Sequence, residues 1–275
     1  MFSLLRYIRN KTSKLNFFWF FLGSIYRFFL IKLNINFYIN QKISNYGPFK
    51  IHCYFAFSNF KNWGSEEGSI FPLMMKMCKN KKCIIDIGAH VGLTTLPLNS
   101  EISKNAKFFS FEPGNENSKY LKLHLNKNNI KNVVVVQKLV GQYDKKNVSF
   151  YESSEPTGMN SIISFKKNFL LTKKDQISLD TFVEENKIKP DLIKLDAEGS
   201  EIFILKGAKK ILKKYKPKIF LSIHKKHFQL LGLNEEDLLK IIKEIGYKIK
   251  DSKENISADF TKKEYYLYFE KNKIN

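Results

Sequence analysis

The chain has 275 residues, of which 43% are hydrophobic and 27% are charged, so it is neither an intrinsically disordered nor a collagen-like protein. It carries 47 Lys and Arg against 26 Asp and Glu, and the net charge of +21 attracts anions such as phosphates, acidic glycans, nucleic acid or an anionic membrane. Its three cysteines are too few for a disulfide framework and lack the further ligands of a zinc site, which favours a reducing compartment.

An aromatic segment, LNFFWFFLGSIYRFFLIKL, occupies residues 15–33. Its uninterrupted apolar run, Phe17 to Tyr26, is about half as long as the roughly 20 residues of a transmembrane helix. No small-residue cleavage site follows the run, so a signal peptide is not predicted either. With the basic residues that precede the run, residues 1–33 are predicted either to contact an anionic membrane peripherally as an amphipathic helix or to pack their aromatic face on the following domain.

Two further patterns divide the chain at about residue 75. Strand-like runs and a polar stretch fill residues 34–75, which we group with the aromatic segment as an N-terminal helical and β leader, 1–75. From residue 83, short runs rich in Val, Ile and Phe alternate with amphipathic stretches, the pattern of βα units and a mostly parallel sheet. The domain 76–275 is predicted to have strands at 83–88, 107–112, 133–138, 191–196, 218–223, 246–250 and 264–270, and helices at 115–128, 200–214 and 234–246.

Residues 140–179 depart from this alternation. Short strands are predicted at 148–151 and 161–165, on either side of the turn-rich loop 153–158. An inserted loop of this kind is expected to carry specificity.

The first motif with a chemical meaning is DIGAHVG, residues 86–92, at the end of the first predicted strand of the domain. Glycines there let the backbone approach a ligand closely, and the helix start that follows offers N–H groups to an anion. A dinucleotide fingerprint would need Gly at position 90 and a small residue at 93, where the chain has His90 and Leu93. No Gly-Lys-Ser/Thr follows either, so the motif suits a cofactor with a carboxylate and a sugar but no pyrophosphate.

Acidic residues follow at the ends of two later strands. Glu112 ends the second strand, where a carboxylate can accept hydrogen bonds from both hydroxyls of a ribose. The motif KLDAEG, residues 194–199, ends the fourth strand, at the sheet edge where open α/β sheets bind ligands. The alternative is purely structural: Glu198 caps a helix and Asp196 pairs with Lys194.

In this order and spacing, IIDIGAHVGLTTL, FFSFEPGNEN and DLIKLDAEGSEIFILKGAKKIL with KIFLSIH resemble the FkbM-type family of S-adenosylmethionine-dependent methyltransferases, over about residues 60–250. The resemblance implies a class I, Rossmann-like α/β fold with a mostly parallel seven-stranded sheet and helices on both faces. It also implies S-adenosylmethionine as the cofactor and O-methylation of a hydroxyl on a sugar, a glycan or a related small molecule. Carried over to this chain, it implies a ribose on Glu112, a transferred methyl group bordered by Lys194, Asp196 and Glu198, and a methionine part cradled by Asp86, Gly88, Ala89, His90 and Gly92.

The chain departs from the family pattern at three positions. Ser222 stands where members usually carry a carboxylate, two residues before His224, which weakens the case for a base supplied by that strand. Pro97 falls inside the helix after the glycine motif, so that helix is expected to be short or kinked. His90 stands where the family often has Asn, and either side chain can hydrogen-bond the cofactor.

Catalysis at such a site requires an acceptor hydroxyl in line with the methyl group and a base that takes its proton. Glu198 and Asp196 are the first candidates for the base, and His224 is the third. Asp196 is expected mainly to fix the geometry near the cofactor, and Glu198 to reach the acceptor. No metal is predicted, although the two carboxylates together could bind a divalent cation.

Two other functions stay open at the level of sequence. The charge of +21 suits an RNA methyltransferase, but the chain has no Asn- or Asp-Pro-Pro-Tyr-type motif and no RNA-binding module, so nucleic acid is not the preferred partner. The aromatic segment and Ser222 suit a catalytically inactive, membrane-associated scaffold. The preferred prediction is an O-methyltransferase with a glycan or small-molecule acceptor, in the cytoplasm; peripheral contact of residues 1–33 with the inner membrane face stays open beside packing on the domain.

Overall fold

The computed structural model describes residues 8, 12, 16–164, 166–256 and 260–269. The first elements are the helix α1 (Asn16–Lys32), the hairpin strands β1 (Tyr38–Ile43) and β2 (Tyr46–His52), and the helix α2 (Phe71–Cys78). The elements that follow are β3 (Cys83–Ile87), α3 (Thr95–Glu101), β4 (Lys107–Phe111), α4 (Asn115–Lys127), β5 (Val133–Val136), β6 (Leu139–Val140), β7 (Lys145–Glu152), β8 (Leu170–Ile177), α5 (Leu179–Glu185), β9 (Leu192–Leu195), α6 (Glu201–Lys206), α7 (Lys209–Tyr215), β10 (Lys218–Ser222), α8 (Lys225–Leu230), α9 (Glu235–Glu244), β11 (Tyr247–Lys250) and β12 (Glu264–Phe269).

Seven strands form one sheet in the order β11-β12-β10-β9-β3-β4-β5. The strand β12 is antiparallel to its two neighbours, and the other neighbouring pairs are parallel. Every strand predicted for this sheet is present, and the predicted class I, Rossmann-like α/β fold is confirmed. The central strands β3 and β9 are buried at every position, which is why they read as continuous apolar runs.

Alternate residues of the central strands face opposite sides of the sheet and meet different helices. Ile85 and Leu195 belong to an apolar cluster that also contains residues of α5, α6, α7 and α9. Ile84 and Leu192 belong to a second cluster, with residues of α2 and α3. The predicted helices on both faces are therefore confirmed.

The order of the strands reverses between β3 and β9, because β3 leads to β4 and β5 on one side and β9 leads to β10 on the other. Such a reversal leaves a crevice outside the carboxyl ends of the strands, where ligands of open α/β sheets bind. The turns that leave the two strands are close to each other, since the Asp196 N–H donates to the Ile87 carbonyl over 3.2 Å.

The helix predicted as one element over 200–214 is two helices, α6 and α7, so this prediction was wrong. Gly207 stands at the break, where a Cβ would lie 2.2 Å from the Gly141 carbonyl oxygen. The Asp180 carboxylate caps α7 by accepting hydrogen bonds of 3.1 and 2.9 Å from two N–H groups of its first turn. The helix α9 starts as predicted, with a capping box at Asn234.

The insertion after β5 forms a small sheet in the order β6-β8-β7. The strand predicted at 148–151 lies within β7. The strand predicted at 161–165 is wrong, because Ser161 makes an isolated bridge to β7 and no strand follows it; Phe165 lies outside the described residues. The long partner of β7 is β8, which has mostly polar, partly exposed residues without apolar alternation. The helix α3 is short, as expected from Pro97.

The β1–β2 hairpin packs against the loop that follows β3. Ile43 and Ile51 share an apolar cluster with Val91 of that loop and with residues of α4. Burial lowers the pKa of His124 on α4 to about 4, so its ring is neutral, with one donor and one acceptor nitrogen. The Nδ1 donates to the Val91 carbonyl over 2.8 Å, and the Nε2 accepts from the His52 N–H over 3.1 Å. The division of the chain at residue 75 stays a prediction.

The helix α1 has one buried side, which includes Trp19 and Leu30, and one exposed side. The Tyr26 hydroxyl donates to the Cys53 carbonyl over 3.2 Å and thereby fixes the helix to the segment after β2. Across the described parts of the chain, no helix combines the length and the apolar character that a membrane crossing requires.

Candidate active site

Two cavities open at the carboxyl edge of the sheet and meet beside β3 and β9. The first, of about 190 Å³, is lined by the turn after β3, the ends of β4 and β9, and the loop after β7. The second, of about 490 Å³, is lined by the segment before α2, the end of β10 and the start of β12. Both cavities have Trp63, Thr94, Lys194 and Asp196 in their walls.

The turn after β3 begins with the N–H groups of Gly88 and Ala89, which both donate to the Phe111 carbonyl at 3.0 Å. Gly88 has a φ of +77°, and a Cβ there would lie 1.8 Å from the Asp196 carbonyl oxygen. We predicted this glycine as a place where the backbone approaches a ligand. The structure adds a second reason, because the backbone after β9 also approaches it too closely for any side chain.

His90 follows in the left-handed region, with a φ of +51°, where residues other than Gly, Asn and Asp are uncommon. Burial, with a smaller effect of the Lys194 charge, lowers its pKa to about 4, so the ring is neutral. Its side chain lines the first cavity, and its buried Nε2 has no hydrogen-bond partner among the described residues. A polar group of a ligand in this cavity could form the hydrogen bond that this nitrogen lacks.

Glu112, just after β4, is 4% exposed and faces the first cavity. Its Oε2 accepts from the His90 N–H at 2.8 Å, and its Oε1 accepts from the Gly114 N–H at 2.9 Å and from Asn117 Nδ2 at 3.2 Å. Burial raises its pKa to about 7, although these three donors oppose the shift. The carboxylate is thus fixed in place, with capacity left for further hydrogen bonds.

Lys194 joins the turns after β3 and β9. Its Nζ donates to the Gly88 carbonyl at 2.7 Å and lies 3.4 Å from the carboxylates of both Asp86 and Asp196. Burial alone would lower its pKa, but Asp196 and Asp86 outweigh burial and raise the pKa above the ordinary value of a lysine. The side chain is therefore a charged ammonium between two acids.

Two of the predicted cofactor-binding residues, Asp86 and Gly92, line neither cavity. Asp86 is fully buried behind the site, where it accepts from the Thr95 hydroxyl at 2.7 Å and pairs with Lys194. Gly92 has a φ of +99° and packs against Leu121. These two residues lie behind the site. The predicted cofactor-binding residues in the wall of the first cavity are Gly88, Ala89, His90, Glu112 and Lys194, and the predicted catalytic residues Asp196 and Glu198 line it as well.

His224, which follows β10, lies among three carboxylates. Its Nε2 is 3.6 Å from Asp196 Oδ1 and 3.4 Å from Glu198 Oε1, and its Nδ1 donates to Glu201 Oε1 over 2.7 Å. Burial would lower its pKa, but the hydrogen bonds with Glu198 and Glu201 and the charges of Glu201 and Asp196 raise the pKa to about 11. The ring is therefore an imidazolium at neutral pH and offsets part of the negative charge of the three surrounding acids.

Glu201 was not among the predicted site residues, yet it holds the turn after β9. It is fully buried, and its Oε1 accepts from the N–H groups of Ala197 and Gly199 at 3.1 and 3.3 Å. The turn needs such an anchor, because Glu198 and Gly199 have φ values of +47° and +102°. The signal in the sequence was an acid in the first turn of α6, where a carboxylate can accept from free N–H groups.

The same cluster has a second chemical meaning. Asp196, Glu198 and His224 each offer one atom that could bind a metal ion, and these three atoms lie within 4.8 Å of one another. The distances equally suit an imidazolium between two carboxylates. The predicted absence of a metal therefore stays a prediction.

The second cavity has polar walls next to Asp196. Ser222 lines it, and so do Lys262 and Lys263, while Glu112 does not. Glu264 also lines it; this side chain accepts from the N–H of the residue before α2 at 2.7 Å, and burial raises its pKa. With the ring of Trp63 in the same wall, the cavity offers both the polar groups and the flat apolar surface that a sugar contacts.

The loop after β7, where we expected specificity, is held against the first cavity. Asn117 of α4 donates to the Thr157 carbonyl at 2.9 Å and accepts from the Thr157 N–H at 3.1 Å. The Ser161 hydroxyl donates to the Glu198 carbonyl at 2.9 Å. The loop residues in the cavity wall are Thr157, Gly158, Asn160, Ser161 and Ile162.

Residues 86–249, more than half of the chain, match the family model described as Methyltransferase FkbM domain. The curated protein Hexuronic acid methyltransferase AglP of Haloferax volcanii is 24% identical over 195 residues, which cover 70% of this chain and 75% of that protein.

Two solved structures illustrate the similarity in three dimensions. The methyltransferase FkbM of Methylobacillus flagellatus KT has 21% sequence identity and a TM-score of 0.46, and the match covers 69% of this chain and 44% of that chain. The chain thus spans less than half of the length of that protein. An O-methyltransferase from Bacillus cereus, solved in complex with SAH, has 12% identity and a TM-score of 0.39 over 72% of this chain and 77% of that chain.

Proposed function

The chain belongs to the FkbM methyltransferase family, and we propose that it transfers the methyl group of S-adenosylmethionine to a hydroxyl of a sugar in a glycan. The observation that carries this proposal is the position of Asp196, which is in the walls of both cavities. One cavity has Glu112 and the glycine turn for a cofactor, and the other has polar and aromatic walls for an acceptor.

The residues of the first cavity fit S-adenosylmethionine. Glu112 offers a buried carboxylate for ribose hydroxyls, and it follows the strand next to the glycine turn, where such acceptors are found. His90 offers a buried Nε2 that has no partner among the described residues, and Gly88 lets the backbone approach the ligand. When bound, S-adenosylmethionine supplies a methyl group on a positively charged sulfur, which is a good leaving group.

Asp196 is our choice for the base. A hydroxyl becomes far more acidic as its oxygen forms the new bond to carbon, so a carboxylate hydrogen-bonded to it can take the proton. Lys194 lies 3.4 Å from one oxygen of Asp196 and His224 lies 3.6 Å from the other, and together they fix its orientation. Glu198, the candidate that we ranked first from the sequence, pairs with both His224 and His227 and lines the first cavity but not the second.

An acidic sugar is the acceptor class that two further observations support. Lys262 and Lys263 line the second cavity together with the acids Glu66, Glu67 and Glu264, so its walls carry both signs of charge, and it is the net charge of +21 that attracts acidic glycans to the protein. The similar protein AglP is named for a hexuronic acid. We therefore take a glycan that contains uronic acid as the acceptor to test first.

We place the protein in the cytoplasm, at the inner face of the membrane. The three cysteines among the described residues are free and buried, which supports a reducing compartment. Burial raises the pKa of Cys78 and Cys83 to about 11, so neither thiol is poised for redox chemistry.

Calorimetry with S-adenosylhomocysteine tests the cofactor half of the proposal. The wild type should bind, and Glu112→Gln should bind about tenfold more weakly, because a charged acceptor of hydrogen bonds is replaced by a neutral one. Glu116→Gln is the matched control, since Glu116 pairs with Lys119 on the surface of α4 and does not line the first cavity. Unchanged binding by Glu112→Gln would contradict the assignment of the first cavity.

Mass spectrometry of the products tests the acceptor half. Oligosaccharides that contain uronic acid should gain one methyl group that survives mild alkali, as an ether does and an ester does not, and neutral oligosaccharides should gain less. An alkali-labile methyl group would contradict transfer to a hydroxyl. If RNA were methylated and neither kind of oligosaccharide were, the result would support an RNA methyltransferase instead.

A further inference from the structure

The helix α1 is apolar on two opposite sides, and only one of them is covered by the described part of the protein. The buried side contains Trp19, Gly23 and Leu30. The other side, here called the exposed face of α1, has large apolar side chains that are 39% to 84% exposed: Phe17, Phe18, Phe21, Ile25, Phe28 and Phe29.

The buried side fixes the orientation of the helix. The Tyr26 hydroxyl donates to the Cys53 carbonyl, and the Tyr26 ring packs edge-to-face on Phe57 with 5.0 Å between the centroids. These contacts turn the exposed face away from the rest of the described protein. A contiguous apolar surface of this kind on a folded protein marks a site of contact with another apolar phase or molecule.

The charge of the N-terminal part of the sequence indicates which partner fits the exposed face. Residues 1–65 contain nine Lys and Arg and no Asp or Glu, and the first acidic residue of the chain is Glu66. Within α1, Arg27 and Lys32 are the charged residues. An apolar helical face beside an excess of basic residues fits the interface of a bilayer with anionic headgroups, where apolar rings enter the acyl boundary and basic side chains meet phosphates.

We propose that α1 docks on the surface of a bilayer rich in anionic phospholipids, with its exposed face in the membrane and its buried side on the protein. The helix lies in the plane of the interface. This proposal does not depend on the methyl transfer proposed above.

The same helix is connected to the site. The Arg27 guanidinium lies over the Tyr54 ring, 5.6 Å from its centroid, and the Tyr54 hydroxyl donates to Glu155 Oε2 over 2.9 Å. Glu155 belongs to the loop that contributes Thr157 and Gly158 to the first cavity. Docking through α1 therefore brings this loop close to the membrane surface. If the methyl transfer holds, a glycan carried on a lipid is the form of acceptor that this geometry suits.

Co-sedimentation of the full chain with vesicles tests the proposal. The wild type should bind vesicles of phosphatidylglycerol and phosphatidylcholine about tenfold or more tightly than vesicles of phosphatidylcholine alone. The triple variant Phe17→Ser, Phe21→Ser, Phe28→Ser should lose about tenfold or more of this binding. The control Val134→Ser, Leu170→Ser, Leu230→Ser changes apolar residues elsewhere that are 52% to 60% exposed and should bind as the wild type.

Affinity for S-adenosylhomocysteine, measured on the same proteins, should be unchanged in both triple variants, which separates the membrane contact from the proposed function. Phe17→Ser alone, at the most exposed of these positions, is the substitute if the triple variant does not fold. Equal sedimentation of the wild type and the α1 variant would overturn the proposal. So would a wild-type dimer that dissociates in the α1 variant while neither protein binds vesicles, because a second copy would then cover the exposed face.

Discussion

His224 donates from Nδ1 to the buried carboxylate of Glu201 over 2.7 Å, and this one hydrogen bond decides how the ring faces the site. With Nδ1 engaged, Nε2 points to Asp196 and Glu198, at 3.6 and 3.4 Å. Glu201 also anchors the turn that carries both of these acids. The imidazolium and its buried partner therefore position the carboxylates of the site, and His224 is not available as a neutral base at neutral pH.

His224 should stabilise the folded chain in a pH-dependent way. Because folding raises its pKa from 6.5 to about 11, its contribution is complete below about pH 6.5 and is lost as the pH rises through about 11. The free energy of unfolding of the wild type should thus fall above about pH 6.5 by up to about 1.4 kcal/mol per pH unit, and that of His224→Gln should fall less steeply. Urea unfolding at several pH values measures both slopes, and parallel slopes would contradict the pairing.

Asp196→Asn should lower turnover by about 10²- to 10⁴-fold, because the amide cannot take the hydroxyl proton. Affinity for S-adenosylhomocysteine should change little, since the amide keeps the shape of the side chain. Glu198→Gln is the matched variant and should lower turnover less, because Glu198 does not line the second cavity. Initial rates of methyl transfer to an unmethylated acceptor that the wild type methylates measure both, and a larger loss in Glu198→Gln would assign the role of base to Glu198.

Glu112 should make cofactor affinity depend on pH near neutrality. Burial raises its pKa to about 7, so a large part of the population carries a neutral acid at about pH 6 and a carboxylate at about pH 8. The carboxylate is the stronger acceptor for ribose hydroxyls, so affinity should rise by up to about tenfold over that interval. Titrations of the wild type and of Glu112→Gln at the same pH values isolate this effect. An equal rise in the variant would assign the pH dependence to another group.

Replacing His90 with Asn should leave the fold nearly as stable as the wild type, and replacing it with Val should destabilise it. His90 has a φ of +51°, which Asn adopts more readily than other side chains and which β-branched residues avoid. His90→Asn should leave the free energy of unfolding nearly unchanged, whereas His90→Val should lower it by about 1–2 kcal/mol. Urea unfolding of the two variants measures the difference. Equal stability would mean that the turn relaxes to a different backbone conformation.

The strands of the sheet could be predicted because each one is a short apolar run that is buried on both faces, such as CIIDI in β3 and LIKL in β9. The break between α6 and α7 could not, because it depends on Asp180, which lies well before these helices in the sequence and caps α7 from the start of α5. The strand β8 was missed for a different reason, since its largely polar residues lie at the surface and carry no periodic signal.

The site was predictable to a similar degree. The residues at the ends of β3, β4 and β9 were named from their motifs, because parallel strands bring their carboxyl ends to one edge. The motifs did not show which of these side chains face the cavities. Asp86 belongs to the same motif as His90, yet it lies buried behind Lys194. The role of Glu201 depends on its contact with His224, two residues that stand on different elements.

The hydrogen bonds of His124 make the loop after β3 depend on the hairpin for its support. The ring accepts from the His52 N–H and donates to the Val91 carbonyl, so the loop after β3 loses a support if β2 is absent. Ile43 and Ile51 also fill the apolar cluster beside that loop. We expect that the sheet cannot be transplanted into another protein as a module that starts at residue 76. A working transplant would have to carry the hairpin with it.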